Sequence, residues 1–155
     1  MDVAIKRAYE APSAQDGYRV LVDGLWPRGM NKAQLKIDEW MREIAPSAAL
    51  RKWYGHKPEK WEEFKKKYRH ELSMPSRKAL LAELTERARK DRVTLVFGAR
   101  DAQRSNAAVI AEMIRRQLQV SDRKQLVEAI LASKLPKIKW KKAKKEIEAG
   151  RTGNS

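Results

Sequence analysis

Two short stretches of this chain have continuously apolar centres, YRVLVD at 18–23 and RVTLVFGA at 92–99, and a long run of helical pattern lies between them. A strand whose centre lacks polar alternation is one covered on both faces. Such strands belong to sheets layered between helices, and a helical crossover joining them predicts parallel pairing. A third strand is expected at VAIKRAY, 3–9, followed by a turn at APSAQDG, 11–17.

The crossover has its own punctuation. KIDEWMREI, 36–44, carries apolar residues at helical spacing and stops before Pro46, so a helix is expected there. Ser47 is placed to cap a short helix, AALRKWY, ending at Gly55. Pro58 sits where another helix begins, and Trp61, Phe64, Tyr68 and Leu72 form one stripe along it. Pro75 opens a further helix with Leu80, Leu81 and Leu84 inward. After the last strand, NAAVIAEMIRRQL, 106–118, is helical with Ile110, Met113 or Ile114, and Leu118 inward. Ser121, with Asp122 in the favourable first turn, is expected to cap a separate amphipathic helix that Pro136 breaks. The expected fold is therefore α/β, a small three-layer domain with a mostly parallel short sheet flanked by helices, plus a basic helical C-terminal extension. Its boundaries are 1–118 for the α/β domain, 119–135 for the amphipathic extension and 136–155 for a basic tail, a fraying helix or a disordered segment.

Charge narrows the partners. Thirty-five Lys and Arg against twenty Asp and Glu give a net charge of +15, a field that attracts polyanions. The segment 134–155 carries +6 of it, and the segment 1–133 carries the other +9. Nucleic acid, DNA or RNA, is the first expected partner; Trp26 and Trp140 lie among cations, and Lys137, Lys139, Trp140, Lys141, Lys142, Lys144 and Lys145 are its expected contacts in the tail. A peripheral membrane or protein-partner role through the tail ranks last, because the tail lacks the broad apolar face of an interfacial helix. There is no cysteine, which excludes disulfides, thiolate zinc sites and cysteine nucleophiles. No apolar run approaches the length of a membrane span, and MDVAIKRAYE lacks the apolar core of a secretory signal, so a cytoplasmic location is expected. No His, Asp and Glu cluster has ligand spacing and no nucleotide-loop motif is present, so neither metal nor cofactor is expected.

In open α/β sheets ligands bind beyond the carboxyl ends of the strands. Two loops leave such ends here, Asp23-Gly24-Leu25-Trp26-Pro27-Arg28-Gly29 and Gly98 to Ser105. Parallel strands would bring both to one crevice, suited to a nucleotide or another phosphorylated metabolite. Its candidate anion-binding residues are Arg19, Arg28, Arg100, Arg104, Ser105 and Asn106, with a helix N-terminus behind the last two. Trp26 is either a stacking platform or a core-covering residue. Arg28 either contacts ligand or pairs with Asp23 or Asp101. Asp23 and Asp101 are the candidate acid/base pair, and otherwise tie loops together. His56, in an interhelix turn, and His70, on a charged helix, carry little signal for catalysis. Whether the chain is an enzyme stays open.

DGYRVLVDGLWPRGMNK, DEWMREIAPSAALRKWYGHKPEKWEEFKKKYRHEL and VTLVFGARD resemble the YeaO-like proteins, small prokaryotic proteins of unknown function, in that order and over roughly 3–118. The resemblance implies a compact α/β fold and no assigned reaction. It places Asp16, Arg19, Asp23, Trp26, Pro27, Arg28, Gly29, Trp40, Pro46, Ser47, Leu50, Arg51 and Asp101 on motif positions. Two departures stand out. Gly24 occupies a position where the family pattern reads arginine, and Arg104-Ser105-Asn106 stands where Asn and His are common.

Overall fold

The computed structural model describes residues 2–134. Four strands form a single sheet: β1 (Asp2–Arg7), β2 (Tyr18–Leu21), β3 (Glu39–Trp40) and β4 (Arg92–Phe97). Their order is β1-β4-β2-β3, and every neighbouring pair is parallel. The two stretches with apolar centres are thus the central strands, with Val20 beside Leu95 and Leu21 beside Val96. The helices are α1 (Lys32–Leu35), α2 (Ala48–Tyr54), α3 (Trp61–Ser73), α4 (Pro75–Lys90) and α5 (Asn106–Lys134).

The strand period of two sorts the core into two clusters. Val3, Val20, Val22, Val93, Leu95 and Phe97 face one side, where Tyr68, Leu72, Leu81, Leu84, Ile110 and Ile114 of the long helices cover them. Leu21 and Val96 face the other, under Leu35 of α1 and the half-buried Trp26, Met30, Ile37 and Trp40. The three layers are therefore unequal: long helices on one face, a short helix and a folded loop on the other.

Two expectations are corrected. KIDEWMREI is not a helix; it holds β3 and then a short 3-10 turn at Arg42–Ile44. Its apolar residues imitate one helical stripe, but Ile37 and Trp40 pack on one face of the sheet and Met41 and Ile44 on the other. The chain passes around the sheet edge here, and pairing with β2 secures it: the Arg19 amide donates to Asp38 Oδ2 at 2.8 Å and the Met41 amide to Leu21 O at 2.9 Å. Second, Ser121 caps nothing, because α5 runs unbroken from Asn106 to Lys134. Val120, Ser121 and Asp122 include neither Gly nor Pro, and serine or aspartate inside a helix costs only about 0.5 kcal/mol. Ser47 does cap α2, accepting from the Leu50 amide at 3.2 Å, and Gly55 ends it in the left-handed region.

The chain divides into two compact units, Met1–Leu118 and Gln119–Ser155. The first holds the sheet. In the described part of the second, Val120, Leu126, Val127 and Ile130 are exposed. Among the described residues no helix is long and apolar enough to cross a membrane.

Candidate functional site

Because β2 and β4 are parallel neighbours, the loops leaving their carboxyl ends meet. They enclose a cleft of about 500 Å³ lined by Asp23, Gly24, Leu25, Trp26, Pro27 and Arg28 from one loop and by Gly98, Ala99, Arg104, Ser105 and Asn106 from the other. Pro46, Arg51, Tyr54, His56 and Phe64 complete it from the α2–α3 side. An adjoining hollow of about 470 Å³ shares Tyr54, His56 and Arg104 and adds Arg100 and Asp101.

Asp23 is the half-buried carboxylate of the cleft. Its Oδ2 accepts from the Gly98 amide at 2.8 Å. A β-carbon at position 98 would lie 3.3 Å from that oxygen, so glycine there permits the close approach. Burial raises the Asp23 pKa above its ordinary range, against the opposing pull of the Gly98 amide, Asn106, Arg51 and His56. A carboxyl held in this way keeps its proton more tightly folded than unfolded. Its contribution to stability is full below the ordinary 3.8 and fades as pH rises through the raised value. Thermal melts between about pH 4 and about pH 7 should show wild type losing ground to Asp23→Asn as pH rises. Parallel pH profiles for the two proteins would refute the assignment.

Asp101 is different. It is exposed, caps the following 3-10 turn by accepting from the Gln103 amide at 3.1 Å, and pairs with Arg104 at 2.8 Å. The Arg104 hydrogen bond holds its carboxyl below the usual range. The two aspartates are therefore held differently: burial pushes Asp23 up, while Asp101 is a loop tie lowered by its Arg104 partner.

The arginines also separate. Arg28 and Arg51 are exposed at the cleft and, among the described residues, neither forms an ion pair. The pairing of Arg28 with Asp23 or Asp101 is not made. A β-carbon at Gly24 would lie 3.7 Å from the Arg51 guanidinium, so Arg51 sets a cation beside Gly24. Arg19, by contrast, is no part of the cleft. It is 4 % exposed, bonded to Asp16 at 2.6 Å and to the carbonyls of Leu35 at 2.7 Å and Lys36 at 3.1 Å. Every nitrogen of its guanidinium serves the fold.

Ser105 and Asn106 reach the cleft with their polar groups already engaged. The Ser105 hydroxyl donates to Ala102 O at 2.7 Å and accepts from the Ala108 amide, capping α5. The Asn106 side-chain amide donates to Val22 O at 3.0 Å. Trp26 is pinned in the loop: its indole N–H donates to Met30 O at 2.6 Å, and its ring meets Trp40 edge-on at 5.5 Å. It is mainly a lid on the smaller core cluster. The aromatic wall on the other side is Tyr54, stacked on Phe64 at 4.4 Å. His56 stands beside it at a φ of 56°, an unusual backbone state for a non-glycine residue. Arg51, Tyr54 and Phe64 are not legible as site residues in the sequence; the stretch Pro46-Ser47-Ala48-Ala49-Leu50-Arg51 is the available signal, through the family pattern. Lys137, Lys139, Trp140, Lys141, Lys142, Lys144 and Lys145 lie outside the described residues. Among the described residues no group of three His, Asp or Glu side chains could hold a metal ion.

Fold and cleft together define a small parallel α/β protein with a strand-end pocket. The chain belongs to the inactive DUF488-N3 subclade, whose family profile matches residues 2–131. It is 41% identical over 112 residues to an uncharacterised protein of Mycobacterium tuberculosis strain H37Rv, covering 72% of this chain and 92% of that one. It is 36% identical over 115 residues to the uncharacterised protein YeaO of Escherichia coli K12, covering 74% of this chain and 98% of YeaO. No solved structure matches it significantly.

Proposed function

We propose that the strand-end cleft binds a small phosphorylated molecule that also carries N–H donors, a nucleotide or a related metabolite, and does not turn it over. The observation that carries this is the combination of one half-buried acceptor, Asp23, with two guanidiniums free of ion pairs among the described residues, Arg28 and Arg51, in the same cleft. A carboxylate calls for N–H partners, and an arginine fork suits a phosphate. The description of the subclade as inactive favours binding without chemistry.

The test is calorimetric titration with inorganic phosphate and with a panel of nucleoside monophosphates. Arg51→Ala should weaken the binding of any ligand found by about 10- to 150-fold, the loss of a charge-assisted hydrogen bond worth roughly 1.5–3 kcal/mol. The ligand should be recovered chemically unchanged. Binding that survives Arg51→Ala and Arg28→Ala undiminished places the site elsewhere.

A second reading, association with nucleic acid, rests on the net charge of +15. Phosphate contacts would dominate it, and its affinity would fall steeply with salt.

A further inference from the structure

The basic tail is not the chain's only concentration of charge. The segment 48–70, from the start of α2 into α3, contains eight Lys and Arg against three Glu, a net of +5. No acidic residue intervenes between Glu43 and Glu59. The fold turns this run into a surface. α2 and α3 pack side by side, and between them lies an open hollow of about 550 Å³ with Trp53, Lys66, Lys67 and His70 on its walls.

Three features make the hollow electropositive. The half-buried Trp53 ring is flanked by two ammonium groups, Lys67 Nζ at 4.1 Å and Lys60 Nζ at 4.8 Å from its centroid. The hollow's one carboxylate, Glu71, is engaged by the fold: Oε1 accepts from the Ser47 amide at 2.9 Å and Oε2 from the Ser47 hydroxyl at 2.6 Å. Lys66 on the hollow's wall, and Lys52 and Lys57 elsewhere in the segment, are exposed and, among the described residues, form no ion pair. The exposed pair Lys67–Glu63, at 3.7 Å, offsets the field nearby only slightly, because such pairs are weak.

We infer that the α2–α3 surface is a docking site for the phosphodiester backbone of nucleic acid, centred on Trp53 and the lysines around it. This rests on the nucleic-acid reading above and locates it in the folded body instead of in the tail. Lysines beside an aromatic ring suit a charged backbone carrying stackable bases, without reading sequence. An anionic membrane is the poorer match: every exposed large hydrophobic side chain among the described residues lies outside the segment 48–70, so the hairpin has nothing to insert.

The experiment uses the full chain and a fluorescent oligonucleotide of mixed sequence, titrated from about 50 to about 200 mM salt. The triple variant Lys52→Glu, Lys66→Glu, Lys67→Glu should bind at least about tenfold more weakly, with a log–log salt slope shallower by about two to three. Lys52→Gln with Lys66→Gln, both exposed and outside any ion pair, is the gentler variant and should lower the slope by about two. Circular dichroism melts establish that each variant is folded. If wild type binds and both variants bind as it does, the surface is not the site, although the nucleic-acid reading survives through the tail. If wild type does not bind, both ideas fall. If the substitutions abolish binding to phosphatidylserine vesicles and leave the oligonucleotide unaffected, the surface faces lipid and the inference is overturned.

Discussion

Asp16→Ala is expected to cost about 3–5 kcal/mol, the usual penalty for removing one partner of a buried ion pair. Asp16 is the hub of the turn before β2. Its Oδ2 accepts from Arg19 Nη1 at 2.6 Å and from the Ser13 amide at 2.9 Å, and Lys6 Nζ lies 3.1 Å from Oδ1. Its backbone carbonyl accepts from the Thr94 hydroxyl on β4 at 2.6 Å. With the carboxylate gone, Arg19 is left as a charge 4 % exposed that water cannot reach easily. Against a typical total of about 5–15 kcal/mol, such a loss is a large share, and it corresponds to a fall in melting temperature of about 6–20 °C. The sign of the pH dependence is fixed. Burial alone would raise the Asp16 pKa, but the Ser13 amide, Lys6 and Arg19 together bring it below the ordinary 3.8. Its stabilisation is therefore present above that value and is lost as pH falls through the depressed one. The deficit of Asp16→Ala should shrink in strong acid. Adding Arg19→Met to Asp16→Ala should recover part of the loss, because the orphaned charge is then removed. A single variant that melts within about 2 °C of wild type would show that the network contributes little.

Gly17→Ala, one residue on, is expected to cost about 2–6 kcal/mol, adding backbone strain to a steric clash. Gly17 has φ 66° and ψ −133°, a combination open in practice only to glycine. A β-carbon there would sit 2.3 Å from the Arg92 carbonyl oxygen, in the backbone of β4, at the point where Tyr18 pairs with Val93. Neither element can yield without disturbing the central strand pair. Gly29 is the control. Its φ is 76°, but nothing lies within 4 Å of an added β-carbon, so Gly29→Ala should lose only the left-handed penalty of about 1–2 kcal/mol. Equal losses in denaturant unfolding at the two positions would contradict the steric part of this account.

Arg19, the partner of Asp16, bears on what a sequence displays. It has the chemistry of a phosphate ligand and lies in a family motif, yet it serves as an internal strut. Asp16, three residues before it, is the one local hint of that role, and the distant Leu35 and Lys36, whose carbonyls it meets, complete it. Arg51 is the converse case. It reads as one more cation on a short helix, and only the packing of α2 beside the β2 loop brings its guanidinium to Gly24. Charge is legible in one dimension; whether a charge is engaged or free depends on contacts that are not local.

What the chain determines by itself is the set of its strongest local signals. Continuous apolarity marks β2 and β4 as central strands. Ser47, Gly55 and Pro75 mark helix ends, Pro58 opens a 3-10 turn at Pro58–Lys60 ahead of α3, and the period of Phe64, Tyr68 and Leu72 marks a buried helical face. Those signals act over one or two turns of chain, so they survive without a partner. Two matters were left to the tertiary structure. One was the segment 36–44, whose apolar side chains fit a helix as well as a strand until the sheet offered β2 as a partner and two faces to fill. The other was the cleft, where parallel pairing of β2 with β4 sets the Gly98 amide on the carboxylate of Asp23, far away in the chain. A backbone can choose between helix and strand, and a carboxylate between solvent and a buried amide, only once long-range burial has made one choice lower in free energy than the other.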